Sequence, residues 1–318
     1  MNRITSIDQF RGLAIILMVL ANFIGGVHSM PAWLKHAPDI GMTIADLVAP
    51  MFIFAIGLTY GLSFRRRLEG QTPIPVYMHF VTRYLAILGL GAIISAAEKY
   101  YMADSSGVDW GVFQAIGIAG LVTLLVIRLP WHLRGLVGLS GLAAYQGLSD
   151  RFFLPVVVSA PHGGLVGAFG WAAMLILATV LADLYHEPRR KNSIFILANF
   201  LLLLVGIALS LLSPISKHRV SMAYVLVSTG TSGLIYFLFH WLSTHLGFEG
   251  KILKAWGKNP LVLYFLHYAF IGIVFLPGIP TLYTAAPVWL ALLEIALILT
   301  SLTVVALRME RKQFYITL

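Results

Sequence analysis

The chain has 318 residues, of which 59% are hydrophobic and only 11% are charged, and its formal net charge is +9. A soluble globular protein carries about a quarter charged residues, so this composition excludes an ordinary soluble domain. The absence of cysteine excludes disulfides, thiolate zinc sites and thiol nucleophiles.

Apolar runs recur along the whole chain, and each is long enough to cross a hydrocarbon core about 30 Å thick as a helix. The runs are continuous rather than alternating, which indicates helices and not the strands of a barrel. The sequence therefore predicts an all-α, polytopic membrane helix bundle that forms a single domain over residues 1–318. The ten predicted spans are 10–27, 42–62, 76–97, 111–128, 131–148, 165–184, 193–212, 221–243, 259–276 and 287–307.

The positive charge is distributed unevenly between the loops. With the N-terminus in the cytoplasm, 17 of the 22 lysines and arginines lie on the cytoplasmic side, which is the usual bias in membrane proteins. This predicts that both termini are cytoplasmic, and it explains the net charge by topology rather than by nucleic acid. The 17 are Arg3, Arg11, Arg65, Arg66, Arg67, Arg83, Arg128, Arg134, Arg189, Arg190, Lys191, Lys251, Lys254, Lys258, Arg308, Arg311 and Lys312.

The loop after the first span carries His36 between Pro31 and Pro38. A lone loop histidine is usually a surface residue, but ten residues later Asp46 lies near the start of the second span. A charged side chain at membrane depth costs about 2.5–3.5 kcal/mol on insertion scales, so Asp46 requires an explanation. A carboxylate that holds one imidazole nitrogen makes the other a better base. His36 and Asp46 are therefore the candidate catalytic pair.

Pro50 follows Asp46 by four residues. Proline lacks the N–H that would bond to the carbonyl of residue 46, so we expect the helix to be opened there, beside a water-accessible cavity near the outer face. The alternative is a kinked helix whose carboxylate reaches up to the membrane surface.

Other polar side chains lie at membrane depth or at span ends. Asn22, near the outer end of the first span, is either an interhelical hydrogen-bond partner or a donor to a developing oxyanion. Arg83 in the third span is a charged side chain at membrane depth. His267 in the ninth span is either a satisfied interhelical donor or a pocket residue. Asn259 precedes Pro260 as the N-cap of the ninth span, which explains it without any function.

Several stretches resemble the transmembrane acyltransferases of the heparan-α-glucosaminide N-acetyltransferase family, and in particular its bacterial branch, often found with N-acetylglucosamine utilisation. The similarity is dense over residues 4–62. It is carried by Asp8-Gln-Phe-Arg11-Gly12 with Asn22, by Lys35-His36-Ala37, and by Gly41-Met-Thr-Ile-Ala-Asp46-Leu-Val-Ala-Pro50. Weaker similarity occurs at Gly111-Val-Phe-Gln114, His162-Gly-Gly164, Ser213-Pro214-Ile-Ser-Lys217 and Gly257-Lys-Asn259-Pro260.

The resemblance implies an acetyl-CoA-dependent N-acetyltransferase in a bacterial cytoplasmic (inner) membrane. Such an enzyme passes an acetyl group from cytoplasmic acetyl-CoA to the amine of a glucosamine-type sugar on the opposite side. His36 would be the catalytic histidine, Asp46 its partner and Asn22 a nearby polar contact. Whether the histidine is itself acetylated or acts only as a base is left open. The candidate residues for binding acetyl-CoA are Asn259, His267, Gln114 and Arg83.

Two other functions are compatible with the same residues. A secondary transporter of a sugar also places polar residues at a broken helix. An O-acyltransferase of an envelope polysaccharide would share the histidine–aspartate pair and differ in its acceptor. The expected partners are an amino sugar and the lipid bilayer, a homodimer is compatible with the sequence, and neither nucleic acid nor a metal is expected.

Overall fold

A computed structural model of the chain describes residues 4–101, 110–186, 192–275 and 277–316. Arg3, Arg189, Arg190 and Lys191, which belong to the predicted cytoplasmic charges, lie outside the described residues. All regular secondary structure within these ranges is helical, and short 3₁₀ helices lie at Ala32–Leu34 and Ala45–Leu47. The α-helices are α1 (Thr5–Gly25), α2 (Val48–Gly70), α3 (Pro73–Tyr101), α4 (Val112–Val126), α5 (Trp131–Leu148), α6 (Leu154–Ser159), α7 (Gly164–His186), α8 (Asn192–Leu209), α9 (Met222–His245), α10 (Lys251–Lys258), α11 (Pro260–Phe275) and α12 (Val288–Arg311).

Seven helices of the described chain are long and apolar enough to cross a membrane, and an eighth span exists if α10 and α11, bent by 91° at their junction, count as one. The prediction of an all-helical protein with several membrane-length helices is confirmed. Each of the ten predicted spans coincides with a helix, but α4 has only 15 residues and α5 is not among the seven. Ten crossings therefore stay a prediction.

The start of the second span differs from the expectation. α2 begins at Val48, so Pro50 lies in its first turn, where a missing N–H removes no intrahelical hydrogen bond. Asp46 lies ahead of the helix, in the 3₁₀ turn Ala45–Leu47. The proline therefore does not open a helix beside Asp46. The Asp46 carboxylate instead lies in a 3₁₀ turn, and residues of the preceding loop donate hydrogen bonds to it.

The described residues form two compact units. The first unit comprises the described residues of 4–37, Met42–Phe52 and the described residues of 235–316. Its core is α1 packed against α10, α11 and α12. Glycines allow α1 and α10 to approach closely: a Cβ on Gly12 would lie 1.9 Å from the carbonyl oxygen of Leu253, and a Cβ on Gly257 would lie 1.8 Å from that of Asp8. Any side chain at either position would force the two helices apart.

Replacing Gly257 by alanine is therefore expected to destabilise the protein by about 1–3 kcal/mol, because the new methyl group meets rigid backbone. The measurement is thermal unfolding of the purified protein in detergent. Gly272 on α11 provides the matched control, since a Cβ there meets no atom within 4 Å. An unfolding temperature for Gly257→Ala equal to that of Gly272→Ala would contradict the close packing of α1 on α10.

The two ends of the first unit are well defined by hydrogen bonds. At one end, next to Gly257, Asn259 donates to the carbonyl of Phe314 and accepts from the N–H of Ile316. At the other end, the Tyr283 hydroxyl donates to the carbonyl of Phe23, and the N–H of His28 donates to Thr284. The beginning of α1 and the chain beyond α12 therefore lie at one end of this unit, and the segment that follows α1 lies at the opposite end.

The second unit comprises Pro38–Gly41 and the described residues of Ile53–Leu234. α7 is its central helix, buried along almost its whole length and contacted by α4, α5, α6 and α8. The loop residue Asp39 pairs with Arg219, whose guanidinium holds the pKa of that carboxyl below its usual value. The last turn of α7 carries Asp183, which pairs with Arg65 of α2 and Arg134 of α5. Polar contacts thus tie the ends of several helices of this unit together.

Candidate active site

The structure brings His36 and Asp46 together in the first unit. His36 follows the 3₁₀ helix Ala32–Leu34, and Asp46 lies within the 3₁₀ helix Ala45–Leu47. α1 contacts both 3₁₀ helices. His36 Nδ1 lies 2.8 Å from Asp46 Oδ1. The histidine side chain is 39% exposed and the aspartate side chain is fully buried. A buried carboxylate therefore holds an imidazole that solvent, and a substrate, can reach.

Hydrogen-bond donors surround the carboxylate of Asp46. Its Oδ2 accepts from the backbone N–H of Ala37 at 3.1 Å and from that of Thr43 at 3.0 Å. The Thr43 hydroxyl lies 3.1 Å from the same oxygen and 2.6 Å from the carbonyl of Lys35, so its single proton is shared between two acceptors. An ionised carboxylate only accepts hydrogen bonds, and this arrangement of donors matches that form.

The protonation of the imidazole follows from these contacts. Because the Asp46 carboxylate accepts, Nδ1 of His36 carries the hydrogen and donates it. In the neutral ring the lone pair is then on Nε2, the nitrogen that does not face Asp46. The pair has the geometry of a general base held in one tautomer by a buried carboxylate.

Thr43 contacts Asp46 through two hydrogen-bond donors, and it is not among the candidate residues predicted from the sequence. Its backbone N–H and its hydroxyl both face Asp46, three residues later, which is the local pattern by which threonine and aspartate stabilise turns. The signal was present in the sequence as the spacing Thr43-Ile-Ala-Asp46. Its hydroxyl also donates to the carbonyl of Lys35, so Thr43 connects the residue before His36 with Asp46.

Replacing Thr43 by valine is expected to lower the turnover of the protein about three- to tenfold, the size of one lost hydrogen bond of about 0.5–1.5 kcal/mol. Thr43→Ser keeps the hydroxyl and is expected to retain nearly full turnover. Initial rates of the two variants, measured at equal protein, check this. Equal rates for valine and serine at this position would show that the hydroxyl does not position Asp46.

A second polar pair lies within the same unit. Asn22 Nδ2 lies 2.9 Å from Nε2 of His267, although 245 residues separate them. Nδ1 of His267 faces the carbonyl of Tyr264, which can only accept, so Nδ1 carries the hydrogen. In the neutral ring Nε2 therefore accepts from Asn22. Both nitrogens of the buried His267 are used, and the orientation of the Asn22 amide is set.

The other candidate residues have structural contacts of their own. Asn259 joins the α10–α11 junction to the chain beyond α12, as described above. In the second unit Gln114 accepts from the N–H of Gly111 at the start of α4 and donates to Ser95. Arg83 on α3 lies with its guanidinium carbon 5.8 Å from the ring centre of Tyr84. A role for Asn259, His267, Gln114 and Arg83 in binding a cofactor stays a prediction.

Comparison with known proteins gives a match over most of the chain. The family model described as heparan-alpha-glucosaminide N-acetyltransferase, catalytic, matches residues 3–242. This range contains Asn22, His36, Thr43 and Asp46, and it extends through the described helices from α1 to the later part of α9.

Two curated proteins show the same similarity. The heparan-alpha-glucosaminide N-acetyltransferase of Mus musculus is 32% identical over 137 residues, which cover 41% of this chain and 20% of the relative. The protein of the same name from Homo sapiens is 38% identical over 131 residues, which cover 39% of this chain and 19% of the relative. The matched segments thus span about a fifth of the length of each relative.

Proposed function

Because the chain belongs to the heparan-α-glucosaminide N-acetyltransferase catalytic family, we propose that it is a membrane-bound acetyltransferase of amino sugars. It takes an acetyl group from acetyl-CoA on the cytoplasmic side and transfers it to the amine of a glucosamine-type sugar on the other side of the membrane. A bacterial cytoplasmic membrane is the proposed location. The curated relatives support the class of reaction by their names.

The observation that carries the proposal is the pairing of His36 with the buried Asp46. An amine that attacks a thioester has to lose a proton, and Nε2 of His36 is the base that accepts it. Asp46 stabilises the imidazolium that results and keeps the ring in one orientation. The amine nitrogen forms the C–N bond to the acetyl carbonyl carbon and gives a tetrahedral intermediate. The C–S bond then breaks, and the leaving thiolate of CoA takes up the proton that His36 received.

The architecture of the first unit supports a site on the side opposite the termini. The start of α1 and the chain beyond α12 lie at the same end of this unit, which favours an even number of crossings. The catalytic pair follows the far end of α1. The bias of lysine and arginine favours cytoplasmic termini, and the pair then faces the extracytoplasmic side.

Asn22 is proposed to contact the sugar or the carbonyl that reacts. Its bond to His267 uses one N–H of the amide and leaves the second N–H and the carbonyl oxygen for a substrate. The second N–H is a suitable donor to the oxyanion of the tetrahedral intermediate.

The test is an assay of the purified protein in detergent with acetyl-CoA and glucosamine, followed by mass spectrometry. We expect N-acetylglucosamine and free CoA to appear in equal amounts. Product without an equivalent release of CoA, or no product from any amino sugar tried, would contradict the proposal.

A secondary transporter of a sugar is the alternative, and the sharp bend between α10 and α11 is the observation that favours it. The two functions differ in their use of acetyl-CoA. A transporter moves unmodified radiolabelled sugar into vesicles that contain the protein, and it releases no CoA. Uptake of sugar without release of CoA would contradict the acetyltransferase function and support the transporter function.

A further inference from the structure

The chain between His36 and Asp46 is held in its middle by an ion pair. The segment Pro38–Gly41 belongs to the second unit. There the guanidinium of Arg219 binds the Asp39 carboxylate with two nitrogens: Nε lies 3.1 Å from each carboxylate oxygen, and Nη2 donates to Oδ2. Such a contact fixes the orientation of a carboxylate as well as its position. The proposed chemistry makes no use of this pair.

Two further hydrogen bonds attach the same segment. The Ser216 hydroxyl donates to Oδ1 of Asp39 at 2.7 Å, and the N–H of Gly41 donates to the carbonyl of Ile215 at 2.8 Å. Ile215 and Ser216 belong to residues 213–217, one of the stretches with weaker similarity in the sequence. Asp39 and Gly41 are therefore both tied to the chain that precedes α9.

The chain that carries Arg219 is itself firmly held. Val220, the next residue, has a φ of 48°, which is a strained conformation for a β-branched residue. Val220 is fully buried, and Cβ atoms placed on Gly167 and Gly170 would lie 3.1 and 2.8 Å from its methyl groups. The Tyr145 hydroxyl donates to the carbonyl of Arg219 at 2.7 Å. Strained backbone persists only where its surroundings hold it, so Arg219 extends from a fixed point.

Both ends of the anchored segment adjoin residues that hold Asp46. Ala37, whose N–H donates to the Asp46 carboxylate, directly precedes Pro38. Thr43, whose N–H donates to the same carboxylate, follows Gly41 by two residues. A displacement of the segment is therefore carried by the chain itself to the donors around this carboxylate.

We infer that Arg219 is a positioning residue for the proposed reaction, in which it acts by holding Asp39. The segment that contains Asp39 is thereby fixed between His36 and Asp46. The inference rests on the proposed function, which makes His36 the base. The side chains of Arg219 and Asp39 are 24% and 30% exposed, so their charge attraction by itself contributes little. Geometry matters more, because a catalytic group displaced by about 1 Å can lose about 10²-fold in rate.

The first test measures kcat and KM of the purified protein with acetyl-CoA and glucosamine. Arg219→Gln is expected to lower kcat about tenfold and to leave both KM values within about twofold of the wild type, because Arg219 acts on the position of the base and not on substrate binding. Combining Asp39→Arg with Arg219→Asp restores an ion pair in the reverse order and is expected to recover part of the loss. Arg151→Gln, at an exposed arginine of the same unit, is the matched control and should keep the wild-type kcat.

The second test separates positioning from a general loss of structure. Arg219→Gln is introduced into the His36→Ala protein, and the rate is measured with added imidazole. If Arg219 acts through His36, its further effect is expected to be below about twofold, since the effects of coupled residues do not add. If Arg219→Gln itself does not fold, the same two measurements on Ser216→Ala decide, with an expected loss in kcat of about threefold for one hydrogen bond.

Three results would overturn the inference while the wild type still transfers acetyl groups. A wild-type kcat in Arg219→Gln would show that the pair does not position the base. An equal loss with and without His36 would show that Arg219 only stabilises the fold. A raised KM for glucosamine at unchanged kcat would make Arg219 a contact of the sugar. A wild-type protein that transfers no acetyl group would instead contradict the proposed function, and the inference would fall with it.

Discussion

The His36→Ala protein is expected to lose about 10²–10⁴-fold in the rate of acetyl transfer, because Nε2 is the base that receives the proton of the sugar amine. The side chain is partly exposed and makes its described hydrogen bond only to Asp46, so the variant should fold. The measurement is the formation of N-acetylglucosamine from acetyl-CoA. Added imidazole should restore part of the rate, since the exposed site admits a small base.

His28 provides the matched control for this substitution. It is also an exposed histidine in the segment after α1. We expect His28→Ala to retain the wild-type rate and both variants to bind CoA equally well. If the His36→Ala protein kept the full rate of acetyl transfer, His36 would not be the base. If both variants lost the rate equally, the effect would come from a disturbance of the whole segment after α1 and not from His36 itself.

The Asp46→Asn protein is also expected to lose about 10²–10⁴-fold in the rate of acetyl transfer. The reason is different, because every group that faces the side chain of residue 46 is a hydrogen-bond donor. An asparagine has one oxygen and one amino group. If the amino group faces His36, Nδ1 becomes an acceptor and Nε2 carries the hydrogen, so the base is lost. If it faces the N–H groups of Ala37 and Thr43, three donors oppose one another and the loop loses its anchor.

The two orientations can be separated by measuring stability and rate together. Loss of the base lowers the rate at an unchanged unfolding temperature, whereas loss of the anchor lowers both. Glu249→Gln, the same change of a carboxylate to an amide at an exposed position of the first unit, is the control and should leave both unchanged. Wild-type turnover in Asp46→Asn would show that the carboxylate does not orient His36.

The apolar runs were sufficient to predict the helices. Each predicted span coincides with a helix, because burial in hydrocarbon is decided by the composition of the segment itself. The prediction at Pro50 was wrong about local geometry, since the sequence did not show that α2 begins at Val48 and that the proline therefore occupies a first turn. α10 was not predicted, because its eight residues are too few and too polar for a span.

The sequence by itself determined that this is a polytopic helical membrane protein, and it paired a histidine in the first loop with an aspartate ten residues later, near the start of the second predicted span. Such properties are local: hydropathy, spacing and charge can be read along the chain. Only the tertiary structure decided that Asn22 pairs with His267 and that Gly12 and Gly257 bring α1 against α10. These contacts depend on how distant helices pack and on which side chains then face each other, which no single segment encodes.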